Sequence, residues 1–315
     1  MTAATAPIAR PVVARHRVQY AALRAAIGAV GVLGFRAASN FGAQLGRFGY
    51  SPLGIRRRVV ERQIAAAFPE WNAGRVREVA RAAYQSLGRT AVETAVISRY
   101  SQPEILDWFE PCDSWHVLTD AVARKRGVML VTGHLGNWEL CGAYIAARGQ
   151  DISAITRRQE NPLFDAWLTR TRHRLGYTAI PDADAVRRVP RAMREGRIIA
   201  AAIDQGAAGL ASTWVPFFGR FAKTPRGAAT FALRLEAPIV FATALRTTDG
   251  RFSVHFEPVA VRSTDDKNAD VDRIVADCTA SLERWVRREP GQYLWHHRRW
   301  KYQQPGTPPE LGNPL

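Results

Sequence analysis

From about Gly127 to Arg288 the chain alternates short apolar runs with stretches of helical length. GVMLVT at 127–132 reads as a buried strand, followed by a turn and a helix over 137–148 that Gly149 closes. The rhythm continues with a strand at 151–157, a helix at 161–175 ending on Gly176, and a short strand at 177–180. A helix at 184–195, with Pro190 predicting a kink or late start, leads to the strand RIIAAAI at 197–203. A long loop then runs to Thr224, which caps a helix with Pro225 at its first position. Strands at 238–245 and 251–257 and a helix at 271–288 complete the pattern. Strands separated by helices demand a largely parallel sheet with helices on both faces, so the fold class is α/β.

Upstream the pattern is different. Residues 18–100 read as helical throughout, with 56–67 and 72–100 separated by the breaker Phe68-Pro69-Glu70 and Asn72 placed as an N-cap. Residues 18–50 are rich in Ala, Gly, Leu and Val, but Arg24, Arg36 and Arg47 interrupt them. The uncharged run Ala25–Phe35 falls well short of the ~20 residues that span a bilayer. With Arg56-Arg57-Arg58 directly after it, the segment reads as a membrane-associated helix with a basic collar for anionic lipid. The division expected is a mobile tail at 1–17, the membrane-associated helix at 18–50, a helical segment at 51–126 and the α/β domain at 127–315.

Charge narrows the partners. Forty-four Lys plus Arg against 28 Asp plus Glu leave +16 on 315 residues, a surplus that calls for an anionic partner: phospholipid, an acidic carrier protein or nucleic acid. No nucleic-acid motif accompanies it, and the basic charge coexists with an apolar N-terminal helix, so nucleic acid is set aside. The three cysteines, Cys112, Cys141 and Cys278, are scattered without a CxxC pair, which argues against a disulfide framework and a zinc site.

The chemistry sits in VTGHLGNWEL at 131–140, at the carboxyl end of the first strand, where open α/β sheets place their ligands. His134 and Glu139 are five residues apart, which on one continuous helix would point them roughly 140° apart. The spacing becomes useful if His134 lies in the turn and Glu139 in the first helical turn, with Gly133 and Gly136 letting the backbone bend. Glu139 then fixes one ring nitrogen and leaves the other as a general base. No Ser or Cys in the motif offers a nucleophile, so the base would deprotonate a substrate hydroxyl directly, with donors near the helix start available to an oxyanion.

This block, with the segments around it, resembles the lipid A biosynthesis late acyltransferase (lauroyl/myristoyl transferase) family, within the lysophospholipid acyltransferase-like superfamily. The resemblance takes in IRRRVVERQIAAAFPE at 55–70, SLGR at 86–89, GHLGNWE at 133–139 and RRQENPLFDAW at 157–167. It continues through IDQG at 203–206, VPFFGR at 215–220, the TP helix at 224–235, AP at 237–238 and LWHHRRWK at 294–301. It implies His134 as general base with Glu139 as its partner, and Arg157 or its neighbour Arg158 on the phosphate or headgroup of the acceptor. Asp204 and Gln205 share the active edge of the sheet, Asn137 joins them as a substrate contact, and Gly206-Ala-Ala-Gly209 departs from the family's pattern. VPFFGR is either an acyl-chain wall or core packing, and LWHHRRWK could grip phosphate or the carrier.

The activity implied is transfer of a fatty acyl group from a thioester, on acyl carrier protein, to a hydroxyl of a lipid A precursor or related glycolipid, without metal or cofactor. The location implied is the cytoplasmic face of a bacterial inner membrane. Acylation of a lysophospholipid from acyl-CoA, hydrolysis of a thioester by water, and a non-enzymatic basic membrane binder are the competing readings.

Overall fold

The structure is a computed structural model that describes residues 11–206 and 209–315; the first ten residues, from the expected tail, and Ala207–Ala208 of the departing loop lie outside them. Six helices come first: α1 (Ala14–Val30), α2 (Phe35–Tyr50), α3 (Arg57–Ala67), α4 (Ala73–Val96), α5 (Gln102–Leu106) and α6 (Trp115–Ala123). Then follow β1 (Val128–Thr132), α7 (Trp138–Ala147), β2 (Ile152–Thr156), α8 (Pro162–Arg174), β3 (Thr178–Pro181), α9 (Ala185–Arg194) and β4 (Ile198–Ala202). The chain closes with β5 (Ser212–Phe217), β6 (Arg220–Pro225), α10 (Gly227–Leu235), β7 (Ile239–Arg246), β8 (Phe252–Val259) and α11 (Lys267–Arg288).

The main sheet has the order β3-β2-β4-β1-β7-β8, parallel except for β8, which runs antiparallel to β7 at the edge. Alternation along the strands divides the interior in two. Met129 and Val131 of β1 enter one core with Val60 and Ile64 of α3, Val79 of α4 and Leu282 of α11. Val128 and Leu130 enter the other, with Leu118 of α6 and Leu140 and Ile145 of α7. A strand buried on both faces needs apolar side chains at every position, hence the unbroken run VMLV.

The expected α/β sheet is therefore present, and two local readings are corrected. The stretch taken as a long loop contains the antiparallel hairpin β5–β6. Thr224 and Pro225 belong to β6 rather than to a helix start, which falls at Gly227 after Arg226. The cap signal was outweighed by pairing: Thr224 stands opposite Thr213 and is fully buried.

The N-terminal segment is two helices, broken at Gly31–Gly34, and among the described residues no helix is long and apolar enough to cross a membrane. α2 packs against α4 through glycines. A Cβ on Gly46 would lie 1.9 Å from the Tyr84 carbonyl oxygen, and one on Gly88 would lie 2.0 Å from that of Gly42. The helices touch backbone to backbone, which only residues without side chains permit. Phe35, Ala38, Ala43 and Tyr50 of α2 are buried, while Phe41, Leu45 and Phe48 are 42%, 50% and 53% exposed.

Candidate active site

His134 leaves the sheet in the turn between β1 and α7, as the spacing requires. Gly136 makes that turn possible: its φ is +64°, and a Cβ there would lie 2.0 Å from the Ala244 carbonyl oxygen. Asn137 is the N-cap of α7, its Oδ1 accepting from the Leu140 amide at 2.9 Å.

The ring of His134 is not held by Glu139. Asp204 occupies that position: its Oδ1 lies 2.7 Å from His134 Nδ1, and its Oδ2 accepts from the His134 backbone N–H at 2.8 Å. The cause is strand register. β1 and β4 are parallel neighbours with Thr132 opposite Ala202, and each chain runs two residues further to His134 and Asp204. The Ile203 amide donates to the Thr132 carbonyl at 3.0 Å, which keeps the two segments together as they leave the sheet.

Asp204 is 2% exposed and the His134 side chain 19%. Burial disfavours the imidazolium, but the charge and hydrogen bond of Asp204, with a further contribution from Glu139, outweigh it and raise the pKa of His134. Burial pushes the Asp204 carboxyl up, and the imidazole's charge and hydrogen bonds overcome this to bring it down to about 2. With Nδ1–H directed at Asp204, the remaining nitrogen Nε2 has no protein partner among the described residues. His134 lines a narrow crevice with Leu87, Trp138, Tyr293 and Leu294, and the Trp138 ring meets its imidazole edge to face at 4.7 Å.

Glu139 sits in the first turn of α7, as read, but turns away to a different pair. Arg172 of α8 donates through Nε to its Oε2 at 3.0 Å and through Nη2 to Oε1, and the Tyr177 hydroxyl donates to Oε2. Burial would raise the Glu139 pKa, yet Arg172 and Tyr177 together hold it below the usual carboxylate range. This carboxylate ties α7 to α8 and to the start of β3, and it reaches His134 only through its charge.

Asn137, expected as a substrate contact, is fully buried, and its Nδ2 donates to Glu93 at 2.8 Å. Glu93 of α4, itself 0% exposed, also accepts from Ser39 of α2 and from both Nε and Nη2 of Arg246. Sequence reasoning missed Glu93; an acid inside an otherwise Ala-rich helical segment was its only signal.

Of the amides around the helix start, that of His134 donates to Asp204, Gly136 to the Gln292 carbonyl at 3.0 Å and Asn137 to the Ala244 carbonyl at 2.9 Å. Arg157 and Arg158 are exposed just past β2, at the same end of the sheet as His134, and neither forms an ion pair among the described residues. Gln205 is half-buried beside Asp204.

The two remaining blocks contribute buried side chains to the core. Val215, Phe217 and Phe218 are buried, Phe217 against Trp300 and Phe218 against Phe68. In LWHHRRWK, Trp295 and Trp300 are each 1% exposed, and the 4%-exposed Arg299 is clamped by Thr224 Oγ1 at 2.6 Å and the Lys223 carbonyl at 2.9 Å. Burial, against the pull of Asp204, lowers His297 to about 4. The Leu294 amide donates to the His134 carbonyl at 3.0 Å, so this segment closes over the motif turn.

Residues 14–302 match the family described as bacterial lipid A biosynthesis acyltransferase. The lipid A biosynthesis lauroyltransferase of Escherichia coli (strain K12) is 26% identical over 271 residues, covering 85% of this chain and 87% of that protein. The palmitoleoyltransferase of the same pathway and organism is 26% identical over 262 residues, covering 82% and 83%, and a lipid A biosynthesis acyltransferase of Shigella flexneri aligns to the same extent. With this match across nearly its whole length, the chain belongs to the bacterial lipid A biosynthesis acyltransferase family and is an O-acyltransferase.

Proposed function

We propose that the protein moves a fatty acyl group from acyl carrier protein to a hydroxyl of a lipid A precursor, with His134 as general base and Asp204 as the group that orients it. The observation that carries this reading is the His134–Asp204 pair with Nε2 left open to the crevice. His134 Nε2 takes the hydroxyl proton as the oxygen attacks the thioester carbonyl. The tetrahedral intermediate then collapses, breaking the C–S bond, and the departing thiolate recovers the proton from the imidazolium. Asp204 keeps the proton on Nδ1 in the resting ring and stabilises the imidazolium formed in between. Glu139 adds negative charge nearby while holding α7 against α8.

The net charge of +16 suits an acidic carrier as donor and anionic lipid as the surface. Arg157, Arg158 and Gln205 are placed to contact the acceptor's polar part at the open edge of the sheet. The exposed Phe41, Leu45 and Phe48 of α2 fit a helix lying in the interface of the cytoplasmic face of the inner membrane rather than crossing it.

The test is purified protein with one acyl chain presented either on carrier protein or on coenzyme A, against a lipid A precursor and a lysophospholipid, with products weighed by mass spectrometry. The expected result is a precursor one acyl group heavier, formed faster from the carrier. Free fatty acid as the sole product would make the protein a thioesterase, and product from the lysophospholipid alone would change the acceptor class.

A further inference from the structure

Next to the His134 crevice lies an open cleft of about 530 Å3, walled by α2, α4 and the turn joining β7 to β8. Ser86 and Gln292 line both spaces and so form the partition between them. Three arginines face the cleft. Arg246 is consumed by Glu93, which it grips with two nitrogens. Arg89 is not: its Nη1 donates to Ser39 Oγ at 3.0 Å and Asn40 Oδ1 at 2.8 Å, both neutral, and it forms no ion pair among the described residues. Burial and the neighbouring Arg246 lower its pKa, and the attraction of Glu93 offsets only part of this. Arg36, one turn before Asn40 on α2, is exposed on the same wall and also without an ion pair among the described residues.

The acids of the cleft, Asp249 and Glu289, are both exposed to solvent. Asp249 accepts from Thr247 Oγ1 and the Arg251 amide, and Glu289 from Gln292 Nε2. The drier side of the cleft is therefore cationic, with Arg89 half-buried and without an ion pair among the described residues. Its floor is the helix whose other face presents Phe41, Leu45 and Phe48 to the outside.

We infer that this cleft receives a phosphate ester of the membrane-lipid acceptor, held by Arg89 and Arg36, while the acceptor's hydroxyl reaches His134 past Ser86 and Gln292. The inference rests on the acyl-transfer reading for the second half of that statement. A dianionic ester would give Arg89 the charged partner it lacks, and a guanidinium fork is suited to phosphate oxygens. The position beside α2 favours a lipid phosphate over the phosphate of a carrier's prosthetic arm, which would arrive from water.

The experiment compares full-length wild type, Arg89→Gln and Arg36→Ala on a lipid A precursor with its phosphates intact and on the same lipid after phosphatase treatment. Arg36 makes no bond within the described protein, so its loss cannot be read as misfolding. Removing one charge-assisted contact is expected to raise the KM for the phosphorylated acceptor about tenfold in Arg89→Gln and a few-fold in Arg36→Ala, with kcat much less affected. Phosphatase treatment should impose a similar rise on wild type and largely erase the difference between it and the variants. An equal effect on both acceptors, or a change confined to the KM of the donor, would overturn the inference. Titration of phosphorylated precursor into inert His134→Ala protein, with and without Arg89→Gln, decides the cleft separately: unaltered affinity rejects it. If wild type itself transfers nothing, the acyl-transfer reading fails while that titration still answers for the binding site.

Discussion

Asp204 holds His134 at two points, the ring through Nδ1 at 2.7 Å and the backbone amide at 2.8 Å, although 70 residues of chain separate them. One carboxylate thus sets both the position of the turn and the tautomer of the imidazole. Replacing Asp204 with Asn is expected to lower kcat by roughly 10²–10⁴-fold, the range in which general bases and their orienting groups act. The sign of the pH effect is fixed. Asp204 raises the pKa of His134, so the wild-type limb of kcat/KM that rises with His134 deprotonation lies above the ordinary 6.5, and the variant's limb must move to lower pH. An unmoved limb in a folded variant would remove Asp204 from the mechanism.

His134→Ala should remove acyl transfer, by about 10³-fold or more, and lower the thermal transition near neutral pH, because the buried Asp204 carboxylate loses its partner. Stabilisation from the raised His134 pKa is complete below 6.5 and fades as pH rises through the higher folded value, so the change in stability should shrink above that range. Near-normal turnover in the folded variant would end the proposal.

Glu139→Gln should behave mainly as a stability variant. It leaves Arg172, whose side chain is 12% exposed, without a counter-charge, and breaking a buried pair costs about 3–5 kcal/mol, less here because the amide can still accept a hydrogen bond. Since Arg172 and Tyr177 outweigh burial and hold the Glu139 pKa down, its stabilisation is present above 4.5 and lost as pH falls through the lower folded value. Denaturant melts at pH 7 and pH 3 should show the difference between variant and wild type shrinking in acid. The loss in kcat should be smaller than for Asp204→Asn; the reverse order would restore Glu139 as the principal partner.

Removing residues 1–50 should unfold the protein rather than free it from membranes, because α2 contributes Phe35 and Ala38 to the core and Ser39 to the Glu93 cluster. A milder form is Gly46→Ala, whose Cβ would meet the Tyr84 carbonyl at 1.9 Å and should cost about 1–3 kcal/mol as the helices separate. Circular dichroism melts of both decide it: a deletion variant with a native melt would make α2 dispensable.

Changing Phe41, Leu45 and Phe48 together to Ser should leave the melt near its wild-type value while reducing sedimentation with anionic vesicles. These side chains are 42%, 50% and 53% exposed, and apolar burial in the interface contributes about 25 cal/mol per Å2. Unchanged vesicle binding would assign membrane contact elsewhere.

Local rules carried the architecture a long way. VMLV announces a strand covered on both faces, Asn72 caps α4 through the Arg75 amide at 2.9 Å, and Gly149 and Gly176 stop α7 and α8 with positive φ. These are contests settled within a few residues, by apolar periodicity and the left-handed freedom of glycine. The TP pair failed for a related reason: its capping preference lost to cross-strand pairing with a segment, Ser212–Phe217, that shows little strand pattern by itself.

For the site, the sequence alone determined that a histidine stands in a turn at the carboxyl end of a central strand, with a carboxylate in the helix that follows. What the histidine pairs with was decided by the sheet. Glu139 is five residues away and buried against Arg172 and Tyr177; Asp204 is 70 residues away and two steps past a strand whose Ala202 lies opposite Thr132. Short-range spacing says which residues can meet along one helix, but register between parallel strands comes only from the packed sheet, and a one-residue slip there would carry Asp204 away from the ring. The same holds for Glu93, which gathers Ser39, Asn137 and Arg246 from three distant segments because burying one carboxylate requires every nearby donor to converge on it.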